Sequence, residues 1–201
     1  MYYKQIEAKD YLVTILPVGT PITLDEAKEH LKETSNDRDG EIISLINTVT
    51  SIAELITGRD MINRTYECYL DCFPMKHGSI KIRRSRLQSI TSIQYYSDNV
   101  LETVDPADYY FTQSPNFSNI NLFQGNIWPD TDKRKQAVII TFVSGYGSDA
   151  CDIPAALKQG MLSHLAYLYD NAGDCGDDEG KAQFESIYTP YIIPQKLVLV
   201  I

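Results

Sequence analysis

The spacing of apolar residues changes twice along this 201-residue chain. Between residues 39 and 57 they recur every three or four positions, as on a helix with one buried face. Between residues 64 and 145 they alternate with polar residues, as on half-buried strands. The helical period returns from 153 to 171. This order constrains the fold strongly, because the helices at both ends must meet to bury their apolar faces.

Capping signals predict where the helices begin and end. Thr23, followed three residues later by Glu26, predicts a capping box at the start of a first helix. Gly58 predicts the end of a second helix over 39–57. We expect this second helix to pack against the helix over 153–171, since neither apolar stripe can stay in water.

The middle of the chain reads as a series of short strands separated by turn residues such as Asp98 and Asn99. In the first strand, alternate positions predict one buried face, which consists of Tyr66, Cys68, Leu70 and Cys72. The predicted strands cover residues 64–73, 79–84, 88–97, 99–105, 108–113, 119–123 and 137–145.

The sequence therefore predicts an α+β fold, in which N- and C-terminal helices form a helical core and an antiparallel β domain is inserted between them. Residues 181–188 are predicted to form a short last helix, and residues 195–201 a strand without an evident partner. The predicted parts are a helical core of 20–62 and 152–190, an inserted β domain of 63–147, and terminal extensions of 1–19 and 191–201.

The charge balance argues against a surface that grips nucleic acid. The net charge is -9 and the isoelectric point is about 4.8, whereas affinity for phosphates comes from Lys and Arg. One basic cluster stands out. We interpret it as part of a solvated sheet edge, and contact with DNA or with an acidic partner is the alternative. Its members are Lys81, Arg83, Arg84 and Arg86.

Membrane insertion and secretion are not expected. The longest apolar runs, at 137–140 and 197–201, are far shorter than the roughly 20 residues that cross a bilayer. Glu7 and Asp10 interrupt the first apolar residues, so no leader pattern opens the chain.

The segment "GYGSDA" at 145–150 fits a dinucleotide-loop pattern between a strand and a helix. Asp149 and Asp152 place negative charge where a pyrophosphate would bind, which argues against that function. We interpret the segment as a strand-to-helix connection, with Asp152 capping the helix and Pro154 in its first turn.

Catalytic and metal sites are also not predicted. Two aspartates flank Cys151, and His164 lies about 18 Å further along the helix, so a thiol nucleophile lacks a local base. The four cysteines and three histidines do not have zinc-ligand spacing, and the acidic loop 170–179 does not fit a calcium-binding hand. We expect no disulfide, metal or cofactor, and reduced, mostly buried thiols.

With these elements in place, the chain resembles the small head-tail connector proteins (adaptor or head-completion proteins) of tailed bacteriophages and prophages. The matching stretches occur in the family's order and cover most of the chain. They are "PITLDEAKEHLK" at 21–32, residues 39–74, "LQSITSIQYYSDN" at 87–99, "DPADYYF" at 105–111, "WPDTDKRKQAVIITFVSGYG" at 128–147, and "IPAALKQGMLSHLAYLYDNAG" at 153–173.

This resemblance implies a structural protein and not an enzyme. It implies many copies in a ring beneath the portal protein, contact with a tail-completion protein, and DNA passing through the central channel without specific binding. The expected locations are the virion and, during assembly, the host cytoplasm. Ring size, host and the surface that meets the portal stay open.

The end of the chain departs from the family. "TPYIIP" at 189–194 resembles the usual terminus, and "QKLVLVI" at 195–201 lies beyond it. This extra segment can pair with the chain's own residues 11–16, or add to a neighbouring protomer or the portal. The assembly interface predicted here consists of Tyr188, Tyr191, Leu197, Leu199 and Ile201.

Two alternatives from other classes remain. One is a cytosolic enzyme that uses Cys151 or the acidic loop, which requires a concave pocket with convergent polar groups. The other is a monomeric binding module whose strands carry the ligand specificity.

Overall fold

The computed structural model describes residues 5–8, 10–75, 77–84, 86–114, 117–171 and 188. These residues divide into two compact units. The β unit contains the described residues of 1–16 and 63–145, and the helical unit contains those of 17–62 and 146–201. Together they give an α+β fold, as the changes of apolar period predict.

Two sheets make up the β unit. Its strands are β1 (Ile6–Glu7), β2 (Asp10–Ile15), β3 (Arg64–Leu70), β4 (Ile80–Ile82), β5 (Leu87–Ser97), β6 (Val100–Thr103), β7 (Tyr109–Gln113), β8 (Ser118–Leu122) and β9 (Val138–Ser144). In the described part of the chain, a four-stranded sheet has the order β1-β4-β8-β7 and a five-stranded sheet the order β2-β3-β9-β5-β6.

The inward faces of both sheets contribute to one hydrophobic core. Along β3, Tyr66, Cys68 and Leu70 are buried and alternate with half-buried residues, which confirms the two-residue period. The Tyr66 ring stacks on Phe142 of β9 with 5.5 Å between ring centroids. Ile120 of β8, in the smaller sheet, is fully buried in the same core.

A tight hairpin joins β5 to β6. Asp98 and Asn99 have positive φ angles of 51° and 63°, the backbone of a two-residue turn whose twist matches the flanking strands. The Asp132 carboxylate accepts hydrogen bonds from both backbone N–H groups, at 3.0 and 2.9 Å. The turn predicted at these residues is therefore confirmed.

The N-terminal residues differ from the predicted extension. β2 pairs antiparallel with β3 along the five-stranded sheet, and β1 pairs parallel with β4. The four-stranded sheet is therefore mixed, whereas we expected only antiparallel pairs. Tyr11 anchors β2, because its hydroxyl donates to the Ala8 carbonyl at 3.0 Å and accepts from the Arg83 N–H at 2.9 Å.

The helical unit contains α1 (Leu24–Leu31), α2 (Asp39–Thr57) and α3 (Ala155–Asp170). The predicted capping box is present at α1. Thr23 Oγ1 accepts from the Glu26 N–H at 3.1 Å, and Glu26 Oε2 accepts from the Thr23 N–H at 2.9 Å. Gly58 ends α2 in the left-handed conformation with φ of 66°, as its position predicts.

Packing of α2 against α3, predicted from their apolar stripes, is confirmed. The stripe on α2 includes Ile42 and Val49, and the stripe on α3 includes Leu157, Met161 and Leu165. All five side chains are fully buried. Two ion pairs stabilise the outside of this unit, Lys28 with Asp39 at 2.7 Å and Lys158 with Glu26 at 2.8 Å.

Apart from Tyr188, the predicted helix 181–188 and strand 195–201 lie outside the described residues. Within the described ranges, none of the helices combines the length and apolarity needed to cross a membrane.

Candidate assembly surfaces

The residues predicted to form the assembly interface fall in two groups. Tyr191, Leu197, Leu199 and Ile201 lie outside the described residues. Tyr188 is fully buried among the apolar residues of the helical unit. Its side chain therefore serves the interior of that unit and not an exposed surface.

Tyr188 contacts a buried histidine. Its hydroxyl lies 3.1 Å from Nδ1 of His164 on α3, and the His164 side chain is only 2% exposed. Burial lowers the pKa of His164 to about 4, because the charged imidazolium loses its water. Burial likewise raises the pKa of Tyr188 above its usual value. Both groups are neutral near pH 7, so the pair is a polar contact of the core.

The connection at 145–150, which follows β9, needs glycine at two positions where other atoms of the chain lie very close to the backbone. Gly145 has φ of 151°, and a Cβ at this position would lie 2.7 Å from the backbone N of Asn63. A side chain at Gly147 would collide with the Asp152 carboxylate. These glycines therefore satisfy local packing, which agrees with a strand-to-helix connection.

Asp152 does not cap α3 as predicted. It ends a 3-10 turn over Ala150–Asp152, and its carboxylate accepts from the Asp149 N–H at 3.0 Å. Pro154 then occupies the N-cap position, one residue before α3 begins at Ala155. The Asp152 carboxylate thus caps its own turn.

The thiols are more exposed than expected. Cys68 is buried in β3, and burial raises the pKa of its thiol to about 12. Cys72 and Cys151 are exposed free thiols, and Cys175 lies outside the described residues. Two of the three described thiols are therefore exposed, which corrects the expectation of mostly buried ones. Cys72 is exposed because β3 ends at Leu70, before the alternation reaches it. In the described part of the chain, no group of three or more His, Cys, Asp or Glu residues could hold a metal ion.

The predicted basic cluster interacts within the β unit. The Lys81 ammonium lies 4.2 Å from the centre of the Phe117 ring. Arg83 Nη2 donates to the Glu7 carboxylate at 3.0 Å. The Arg84 guanidinium lies 4.9 Å from the centre of the Tyr66 ring. β4, which carries Lys81, lies between β1 and β8, so the cluster is not on a sheet edge as the solvated-edge interpretation expects. Lys81, Arg83 and Arg84 nevertheless have partners on their own unit, which does not favour contact with DNA.

Sequence reasoning missed a second basic group at Lys133, Arg134 and Lys135. Lys135 pairs with Asp71 at 2.9 Å, and Arg134 lies 4.0 Å from the centre of the Tyr96 ring. These residues line a depression of about 410 Å³. The run of three consecutive basic residues could have indicated this group. Its partners Asp71 and Tyr96 could not be recognised, because they are close in space and distant in sequence.

Several exposed apolar residues of the β unit lie on two edge strands. On β2, Leu12 is 56% exposed and Ile15 is 60% exposed. On β6, Val100 is 58% exposed and Leu101 is 43% exposed. In the described part of the chain, these two strands form opposite edges of the five-stranded sheet. Apolar sheet edges are typical binding surfaces for another strand.

Solved structures share this fold. A chain in "Neck of empty GTA particle computed with C6 symmetry" matches with a TM-score of 0.72 and 15% identity, covering 91% of this chain and 95% of that one. A chain in "Virion of native gene transfer agent (GTA) particle" has a TM-score of 0.68 and 16% identity, covering 89% and 94%. A third, in "Neck of native GTA particle computed with C12 symmetry", has a TM-score of 0.66 and 17% identity, covering 90% and 94%.

Sequence comparison adds no family assignment. No protein-family model matches the chain, and no curated protein matches it significantly. The structural likeness extends over nearly the full length of both chains, so it concerns the complete arrangement of elements. It establishes a fold shared with chains of gene transfer agent particles.

Proposed function

We propose that this protein is a structural head-tail connector of a phage or prophage, which assembles as a ring under the portal protein and lets DNA pass to the tail. The observation that carries the proposal is the fold shared with chains in gene transfer agent necks, over 91% of this chain in one case. The ordered stretches that resemble phage connectors support it from the sequence side.

A ring is supported by the symmetry of the similar particles. Two of the three necks or particles were computed with C6 or C12 symmetry, in which identical positions repeat around one axis. A head-to-tail contact between identical copies gives such a ring when the rotation closes. We propose the same organisation for this chain, with no cofactor and no catalytic step.

The tail is proposed as the contact with the portal protein. "KLVLVI" at 196–201 has five β-favouring apolar residues and one lysine, which suits addition to an edge of another protein. Leu197, Leu199 and Ile201 would face the portal, since alternate side chains share one side of a strand. Deleting 195–201 should weaken portal binding and leave circular dichroism unchanged. Unfolding of the truncated protein would contradict this role.

The proposed function is tested by mixing the purified chain with a portal protein from the same phage or prophage. Native mass spectrometry and negative-stain electron microscopy should show rings of this chain bound to the portal. The truncation lacking 195–201 is the matched control for specific docking. A chain that stays monomeric and unbound with the portal protein present would overturn the proposal.

A further inference from the structure

The five-stranded sheet presents two different free edges in the part of the chain that the structure describes. β2 and β6 are its terminal strands, and each pairs with a neighbour on one side. β2 pairs with β3, and the Tyr11 hydroxyl makes hydrogen bonds to the backbone of Ala8 and Arg83. A defined edge of this kind offers a row of backbone donors and acceptors to another strand.

Exposed edges are commonly protected by lysine, proline, inward-pointing charge, bulges or short length. Neither edge strand contains lysine or proline, whereas β2 has a bulge between Val13 and Ile15 and β6 has only four residues. β2 has only Asp10 as a charged residue, at its start, while Leu12 and Ile15 are exposed. β6 has only Glu102, whose carboxylate accepts from the Tyr95 hydroxyl at 2.6 Å. Both edges are therefore apolar and open to strand addition.

The backbone of β6 shows which groups are available. The Val104 N–H donates to the Ile93 carbonyl of β5 at 2.9 Å. Because hydrogen-bonded positions alternate in an antiparallel pair, the backbone groups of Glu102 also face β5, and those of Leu101 and Thr103 face the free edge.

The directions of the two edge strands match. All four pairings across the five-stranded sheet are antiparallel, so its first and last strands, β2 and β6, run the same way. If the ring axis runs along the strands, the rotation that relates neighbouring copies does not change the strand direction. β6 of one copy can therefore meet β2 of the next copy as a parallel pair. Two unlike edges on one chain are what a head-to-tail contact requires.

We propose that β6 of one copy pairs with β2 of the next copy, so that the five-stranded sheets continue around the ring. The occupant of each edge is a second copy of this chain. This inference rests on the proposed function, because it names the contact by which the ring would close. It leaves the C-terminal tail free for the portal protein.

A proline substitution tests the backbone part of the contact. Thr103→Pro removes an N–H that faces the free edge, and proline is tolerated on edge strands at such positions. We expect this variant to keep the wild-type melting temperature and to self-associate at least about tenfold more weakly in sedimentation velocity. Thr103→Ala is the matched control, since it removes the same side chain and keeps the N–H. Equal association of both variants would contradict the pairing.

Two charge substitutions test whether the two edges meet each other. Leu12→Glu blocks the β2 edge and Leu101→Glu blocks the β6 edge, at side chains that are already exposed. Each variant alone should stay monomeric at concentrations where the wild type associates. Mixed together, they keep one intact edge each and should form one-to-one dimers and nothing larger. Absence of these dimers, or wild-type assembly by either variant alone, would overturn the proposal.

The competing occupant of the β2 edge is the chain's own tail. Deleting 195–201 should therefore leave self-association at wild-type strength or increase it, and loss of self-association would overturn the proposal. A wild-type chain that stays monomeric up to its solubility limit would also overturn it.

If rings form on the portal protein and persist with Leu12→Glu and Thr103→Pro, only the edge contact fails. If no ring forms on the portal protein, the proposed function fails.

Discussion

His164 illustrates how burial converts a titratable side chain into a structural one. It lies on α3, 2% exposed, with the Tyr188 hydroxyl 3.1 Å from its Nδ1. The sequence predicts that this histidine is on a helix, but helical spacing alone does not distinguish a buried position from an exposed one. Its partner lies 24 residues further along the chain, which no local pattern shows.

The first prediction concerns pH. The pKa of His164 is about 4 in the folded chain against 6.5 unperturbed, so the unfolded state binds more protons between these values. Its contribution to stability is present above about pH 6.5 and is lost as the pH falls toward 4, by about 3 kcal/mol in total. We expect the free energy of unfolding of His164→Gln to fall less over this range than that of the wild type, as measured by urea denaturation. If the free energies of unfolding of the two proteins change equally with pH, His164 does not make this contribution.

The second prediction concerns Gly145. An alanine here would need a φ of 151° and would place its Cβ 2.7 Å from the backbone of Asn63. Gly145→Ala should therefore lower the free energy of unfolding by at least about 2 kcal/mol. Gly40 in α2 is the matched control, because a Cβ there meets nothing within 4 Å. Gly40→Ala should be neutral or stabilising by up to about 1 kcal/mol, and similar losses in both variants would speak against strain at Gly145.

At the scale of elements, the spacing of apolar residues predicted the helices and strands that bury one face. α2 has a continuous buried stripe, and the predicted bounds of 39–57 agree with the observed Asp39–Thr57. From the sequence, residues 11–16 are a sheet edge that could pair with the tail, but they fall in a predicted terminal extension and their pairing with β3 is not predicted. Five of the six residues of β2 are exposed and Tyr11 is half-buried, so its apolar pattern does not mark a buried face. Its pairing with β3 joins residues 50 or more positions apart, which local sequence does not encode.

The third prediction tests the packing of α2 on α3. Leu165 is fully buried in this contact, and an aspartate there would place an unpaired charge among apolar side chains. Leu165→Asp should lower the free energy of unfolding by at least about 4 kcal/mol, measured by urea denaturation. Leu55→Asp on α2 is the control, because Leu55 is 84% exposed. It should cost less than about 1 kcal/mol, and a Leu165→Asp variant that is equally stable would exclude the packing.

At the scale of the whole molecule, the charge balance agrees with the proposed function. Acidic residues outnumber basic ones by 27 to 18, and many of the described cations pair with carboxylates or rings of the same unit. The α+β class could be predicted from the succession of apolar periods. The order of strands in the sheets could not, because it depends on contacts between distant segments.

The fourth prediction follows from this charge balance. If the proposed ring forms a DNA channel, its wall must not hold the DNA, and a protein binds duplex DNA mainly by neutralising phosphates with Lys and Arg. Lys28, Lys135 and Lys158 are each paired with a carboxylate at 2.7 to 2.9 Å, so releasing them for a phosphate would break an ion pair. We therefore expect no binding of a labelled duplex in fluorescence anisotropy at low salt, where electrostatic attraction is strongest. Binding that weakens linearly with the logarithm of salt concentration would indicate a phosphate-contacting surface and contradict a channel through which DNA slides freely.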